Sequence, residues 1–150
     1  MENNYDVIIL GAGASGMTAA LAVYENGLSV GLFEKQNLVG GTAGVSGGII
    51  WAPMNSHMKD KGIKDERSMA IDYFMSLSNG EIDPIRLESF IDNCSSAIDF
   101  IEEKTDANFY VLDGYPDYYL DRPGAILGGG RALDNKLFNF CKLGEWAKKV

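Results

Sequence analysis

Glycines at positions 11, 13 and 16 interrupt the segment DVIILGAGASGMTAALAVYENGLSVGLFEK, residues 6–35, and an acidic residue, Glu34, stands near its end. At this spacing the chemistry belongs to the backbone. Gly11 lets the chain turn tightly, Gly13 leaves no side chain between the backbone and a pyrophosphate, and Gly16 lets the following helix pack closely on the strand. The diphosphate of a dinucleotide then sits at the positive end of that helix, beside Ala12, Ala14 and Ser15, where N–H groups lacking helical partners point at it. Glu34, followed by Lys35, falls where an acid accepts hydrogen bonds from an adenosine ribose. A glycine-rich turn that binds nothing is the alternative. The strand, helix, strand and acid context favours the dinucleotide, but NAD and FAD sites share this unit.

These residues need particular elements to hold them. DVIIL is a short apolar run rich in β-branched residues and bounded by glycine, which suits a parallel strand buried on both faces. A helix is expected from Ala14 to about Tyr24, with Met17, Ala20, Leu21 and Tyr24 on one stripe and Gly27 at its C-terminal cap. Residues 28–34 read as a second buried strand. Residues 40–55 are a structured loop or short helix beside a ligand; Trp51 and Ile49–Ile50 are too apolar for a flexible linker. Asp65 is expected to cap a helix through about Ser78, with Met69, Tyr73, Phe74 and Leu77 inward. A longer helix follows Asp83 as N-cap and Pro84 as first helical residue, its stripe Leu87, Phe90, Ile91, Cys94, Ile98 and Ile101. Residues 108–112 form a further strand, the Gly, Pro and Asp content that follows makes a loop, and a last helix starts near Asn139.

The totals exclude several functions. A chain of 150 residues suits one domain and one core rather than two. Its 13 Lys and Arg against 21 Asp and Glu give a net charge of -8, with no basic run to meet a phosphate backbone, so nucleic acid is not an expected partner. Cys94 and Cys141 form no CxxC, and His57 is the sole histidine, too few ligands for a zinc site. Two reduced core thiols, a polar start without a secretion signal and no apolar run of membrane-spanning length point to a cytoplasmic protein.

The choice between dinucleotides comes from residues 40–48, GGTAGVSGG, where Gly41, Thr42, Ala43, Ser46, Gly47 and Gly48 follow the ribose-binding acid. This segment resembles the corresponding stretch of the flavoprotein subunits of fumarate reductase and succinate dehydrogenase, which contacts FAD; the resemblance implies FAD. Further on, SGGIIWAP, the two helices after it, GYPDYY and KLGEWA are similar to the N-terminal part of 3-ketosteroid Δ1-dehydrogenases, over essentially the whole chain. That resemblance implies an α/β fold, a Rossmann-like FAD-binding domain with a parallel sheet, of which residues 1–150 are the N-terminal portion without the cap and catalytic domain. It also implies a small-molecule substrate, a 3-ketosteroid, and an electron acceptor it does not identify.

In that family a tyrosine of the PDYY stretch lies in the steroid pocket and assists a second tyrosine acting as general base. Carried over, the position is Tyr118, with Tyr119 next. Taking a proton from carbon 2 of a 3-keto steroid needs a base beside a polarised carbonyl, and a tyrosine anion stabilised by a neighbouring hydroxyl can serve; the hydride from carbon 1 goes to the flavin. Read from the residues alone, adjacent aromatics in a Pro-containing loop cover a core. The remaining chemistry is expected outside these residues, so the chain reads as a fragment or truncated product, inactive by itself. Two alternatives stand beside this reading: a fumarate-reductase-like enzyme acting on an unsaturated carboxylate, and a non-catalytic remnant. His57 reads as a surface residue. Arg131 reads as an anion ligand or a solvated loop charge.

Overall fold

The structure, a computed structural model, describes residues 4–150; the polar start at 1–3 lies outside the described residues. The chain divides into two compact units, one built from residues up to Gly48 together with Phe138–Val150, the other from Ile49–Leu137. Length alone favours a single core.

The first unit opens with β1 (Val7–Leu10), α1 (Ala14–Glu25) and β2 (Val30–Phe33). β1 and β2 pair in parallel, Val7 opposite Val30 through Leu10 opposite Phe33, as strands joined by a helical crossover do. Gly27, at φ 73°, ends α1 where the sequence places its cap. Asp6 fixes the start of the pairing: its carboxylate accepts the Ser29 N–H at 2.8 Å and the Ser29 hydroxyl at 2.6 Å, and these bonds lower its pKa. The expectation of a strand buried on both faces is corrected, since Ile8 is 62% and Leu10 82% exposed. α1 buries no residue, and Met17 and Tyr24 of its apolar stripe are exposed. One helix on a two-stranded sheet covers too little surface to enclose either face.

A short helix, α2 (Gly41–Val45), follows in this unit, and the chain returns to it in a 3₁₀ segment, Phe140–Lys149. The last helix is therefore corrected: Asn139 caps it, accepting the Cys141 N–H at 3.0 Å, but Gly144 at φ 53°, ψ -127° breaks the α pattern. Cys141 is exposed, against the expectation of a core thiol.

The second unit contains β3 (Ile50–Trp51), α3 (Ser56–Asp60), α4 (Arg67–Leu77), α5 (Pro84–Lys104), β4 (Phe109–Val111) and β5 (Ala132–Asn135). Its sheet is antiparallel in the order β3-β5-β4. Neither β5 nor α3 is expected from the sequence. ALDN has no β-branched residue to announce a strand, whereas α3 does carry a readable signal, Asn55, whose side chain accepts the Met58 N–H at 3.0 Å.

α5 forms as expected, with the Asp83 side chain accepting the Ile85 N–H at 3.0 Å and Pro84 at its first position. It lays Leu87, Ile91, Cys94 and Ile98 into the core, while Phe90 stays 42% exposed. Cys94, Ile98, Met58, Phe109, Val111 and Leu133 form one cluster; Leu87, Ile91 and Ala70 form another. Burial pushes the Cys94 thiol above its ordinary pKa, as befits a structural residue.

Asp65 does not cap α4. Glu66 stands at that position, and Asp65 turns inward to Arg131. His57 is likewise corrected: its Nε2 lies 2.8 Å from Glu102, whose other oxygen accepts the Phe109 N–H at 2.6 Å, tying α3, α5 and β4 together. Among the described residues no helix is long and apolar enough to cross a membrane.

Candidate functional site

Each unit presents a candidate site. In the first, β1 runs into Gly11 at φ 106°, a conformation that favours glycine, and Gly13 in an extended conformation leads into α1. The Gly11 N–H donates to the Phe33 carbonyl at 2.7 Å, keeping the turn in register with β2. The first amides of α1 have no partner within the helix, and Met17 N–H alone of that turn is taken by the Gly13 carbonyl, at 3.0 Å. Ala14 and Ser15 are exposed there. A row of donors at the positive end of a helix is an anion site.

The second glycine segment lies against the first. Gly40 N–H donates to the Ala12 carbonyl at 2.7 Å, Gly13 and Gly40 form a parallel bridge, and a Cβ at Gly41 would sit 3.5 Å from the Gly13 Cα. Residues 41–48 are all exposed, and a Cβ at Gly47 or Gly48 would meet only open space. The Ser46 hydroxyl stays local, donating to the Ala43 carbonyl at 3.0 Å and accepting the Gly48 N–H at 3.1 Å, which shapes the turn after α2. Thr42 and Lys35 are exposed beside them.

Glu34 ends β2 with its carboxylate beside the turn. Oε2 accepts the Ala12 N–H at 2.7 Å and Oε1 the Gln36 N–H at 3.0 Å. These two amides, Ala12 first, hold its pKa below the usual carboxylate value. Glu34 is therefore ionised at neutral pH and loses its charge only as pH falls below the ordinary range. Each oxygen keeps a further lone pair for a ribose hydroxyl.

This geometry fits a dinucleotide, and it separates two roles among the glycines. A Cβ at Gly13 would approach protein no closer than the Gly40 carbonyl at 3.8 Å, so the folded chain itself leaves room for a side chain there. Gly13→Val is expected to keep the fold and to lose bound FAD; flavin absorbance copurifying at the wild-type ratio would refute it.

The second unit carries an apolar cleft of about 340 Å³, lined by Ile49 and Trp51 from the β3 region, Tyr73, Phe74 and Leu77 from α4, Ala132 from β5, and the loop Tyr115–Tyr119. Trp51 stacks with Tyr73, centroids 6.0 Å apart, and meets Phe74 edge-on at 4.8 Å. Tyr118 and Tyr119 stand on its wall, 79% and 53% exposed. The Tyr118 hydroxyl lies 3.3 Å from that of Tyr115, and the Tyr119 N–H donates to the Tyr73 hydroxyl at 3.2 Å. Tyr115 is the residue that sequence reasoning missed, although it lies within GYPDYY.

Beneath the cleft, Arg131 is 1% exposed, correcting both sequence readings of it. It grips Asp65 with Nη2 at 2.6 Å and Nε at 2.9 Å, and Nη1 reaches Asp117 at 2.8 Å and the Gly124 carbonyl at 3.0 Å. Asp117 also accepts the Trp51 indole N–H at 2.7 Å and the Ile126 N–H at 2.8 Å. The guanidinium sits 5.2 Å from the Trp51 ring centroid. Every polar atom of this buried cluster is satisfied, so it serves to hold the tyrosine loop against the sheet and is closed to ligands.

The FAD binding domain family matches residues 6–144. The chain is 36% identical over 150 residues, 99% of its own length and 26% of the relative's, to the 4-oxocyclohexanecarboxylate 2-dehydrogenase of Sinomonas cyclohexanicum. It is 35% identical over 140 residues, 93% of its length and 25% of the relative's, to the 3-oxosteroid 1-dehydrogenase of Mycobacterium tuberculosis. A solved structure of 3-ketosteroid Δ1-dehydrogenase from Sterolibacterium denitrificans, in complex with 1,4-androstadiene-3,17-dione, superposes with a TM-score of 0.89 at 36% identity, covering 97% of this chain and 26% of that one. The chain thus spans about a quarter of the length of the relatives it matches. With the glycine turn and the second glycine segment paired against it, this chain belongs to the FAD binding domain family, and its cofactor is FAD.

Proposed function

We propose that this chain is the N-terminal part of a cytoplasmic FAD-dependent dehydrogenase that introduces a double bond beside the carbonyl of a cyclic ketone, the substrate being a 3-ketosteroid. Bound FAD supplies the hydride acceptor. Gly11, Ala12, Gly13, Ala14, Ser15 and Gly16 hold its diphosphate, Glu34 and Lys35 flank the ribose, and Gly41, Thr42, Ala43, Ser46, Gly47 and Gly48 line the rest of the ligand. Tyr118 and Tyr119 face the substrate ring, Tyr118 supplying the hydroxyl that supports proton removal next to the carbonyl. These residues do not identify the acceptor that would reoxidise the bound cofactor.

The observation that carries the steroid reading is the lining of the cleft. It is apolar and aromatic, and among the described residues that form it none is basic. Its volume falls within the range of small-molecule pockets. An unsaturated or oxo carboxylate would need a cation to balance its charge on desolvation, and Arg131 is already committed to Asp65 and Asp117. A smaller ring bearing a carboxylate is the second reading, favoured by the identity to the Sinomonas relative.

The test is an assay of the full-length flavoprotein on three substrates: a 3-keto-4-ene steroid and 4-oxocyclohexanecarboxylate, each with an artificial electron acceptor, and fumarate with a reductant in place of the acceptor. Turnover is expected on the steroid, with Tyr118→Phe lowering kcat by about 10²-fold, as loss of a group assisting proton transfer does. Turnover confined to either carboxylate overturns the steroid assignment.

A further inference from the structure

We propose that Tyr115 is the positioning residue for Tyr118: its hydroxyl donates to the Tyr118 oxygen, which leaves the Tyr118 proton to be directed into the cleft. The inference rests on the reading of Tyr118 given above. The two oxygens are 3.3 Å apart, and the rings meet at 62° with centroids 6.2 Å apart. Each phenol carries a single proton, so in such a pair one proton occupies the shared bond and the other points elsewhere. Which phenol donates decides whether Tyr118 faces a substrate as a donor.

The backbone decides which partner is the fixed one. Tyr115 is anchored: its N–H donates to the Leu112 carbonyl at 3.2 Å. A Cβ at Gly129 would lie 2.7 Å from its carbonyl oxygen and 2.9 Å from its nitrogen, so Gly129 lies flat against it. Pro116 restricts its backbone further. The Tyr118 ring, 79% exposed, has no comparable packing, and Tyr115 supplies the contact that orders it.

The remaining ionisable groups of the cleft leave this assignment undisturbed. Asp117 is closed by Arg131, Trp51 and the Ile126 N–H. Tyr73 of α4 accepts the Tyr119 N–H, and Tyr119 itself is 53% exposed. The hydrogen bond to Tyr118 raises the pKa of Tyr115 above its ordinary value.

In the full-length protein, tyrosinate absorbance against pH for the wild type minus that for Tyr118→Phe isolates the ionisation of Tyr118 without turnover. Repeating the subtraction in a Tyr115→Phe background is expected to move that midpoint up by about one pH unit, because the phenolate loses more than the phenol when a donor is removed. Tyr115→Phe should also lower kcat about tenfold, the effect of one lost hydrogen bond, while leaving KM nearly unchanged. A midpoint that does not move overturns the proposal whatever the activity does. A midpoint that moves while Tyr118→Phe remains fully active supports the pairing and overturns the dehydrogenation role of Tyr118 instead.

Discussion

Replacing Arg131 with Met is expected to destabilise the Ile49–Leu137 unit by about 3–5 kcal/mol, the loss that follows when one partner of a buried ion pair is removed. The guanidinium is the shared partner of two carboxylates that are 1% and 2% exposed. Without it both remain buried and face each other across the vacated space, each short of the donors that stabilised it. Met keeps most of the aliphatic volume, so the effect reports charge and hydrogen bonding more than a cavity. Denaturant unfolding of the full-length protein, followed by Trp51 fluorescence, measures it. Changing Asp65 and Asp117 to Asn in the same molecule should recover part of the loss, since the uncompensated charge is then gone. An unfolding midpoint equal to wild type would show that the cluster contributes nothing to stability.

Gly16→Val is expected to be as severe in the other unit, and for a different reason. A Cβ at Gly16 would be driven into the Gly11 carbonyl, with that carbonyl carbon 3.0 Å away and Ile9 Cγ2 at 3.5 Å. Backbone cannot yield there without moving α1 off β1, because Gly11 is itself bonded to Phe33. The variant should lose FAD together with the order of the first unit, whereas Gly13→Val loses FAD alone. Hydrogen exchange of the β1 and β2 amides separates the two: faster exchange in Gly16→Val than in Gly13→Val is expected, and equal protection would show that Gly16 has no packing role.

The order of elements that opens the first unit, β1, the glycine turn, α1 and β2, is legible in the sequence. A tight turn, a close approach and a capped helix are local demands, and the chain writes them as residue types at fixed spacing. Asp83 and Pro84 announce α5 in the same way. Burial is another matter. Ile8 and Leu10 have the composition of a covered strand, yet coverage depends on neighbours that no periodicity reports. The Arg131 cluster was illegible for a related reason: Asp65 lies 66 positions away and Asp117 14 positions away, so their pairing leaves no pattern. Asp65 therefore read as a helix cap, a local role that an acidic residue before an apolar stripe fills well. Gly144, by contrast, is a local signal inside the last expected helix, and its backbone conformation breaks that helix. Of the cleft, Trp51 and the tyrosines were singled out, but the partnership of Tyr115 with Tyr118 needed the loop's actual turn.

The second unit enters through β3 and leaves through β5, and these two strands are hydrogen-bonded neighbours, Ile50 opposite Leu133 and Trp51 opposite Ala132. A segment whose two ends emerge side by side can be spliced into a host chain as a closed module, because the host needs only a short gap to receive it. The residues proposed to grip the cofactor all precede that splice point, and the aromatic cleft lies entirely within it. Mutation can therefore reshape the cleft without touching the nucleotide grip. In evolutionary terms the two features are separately heritable: a lineage can alter the aromatic cleft while keeping the glycine turn and its paired segment unchanged.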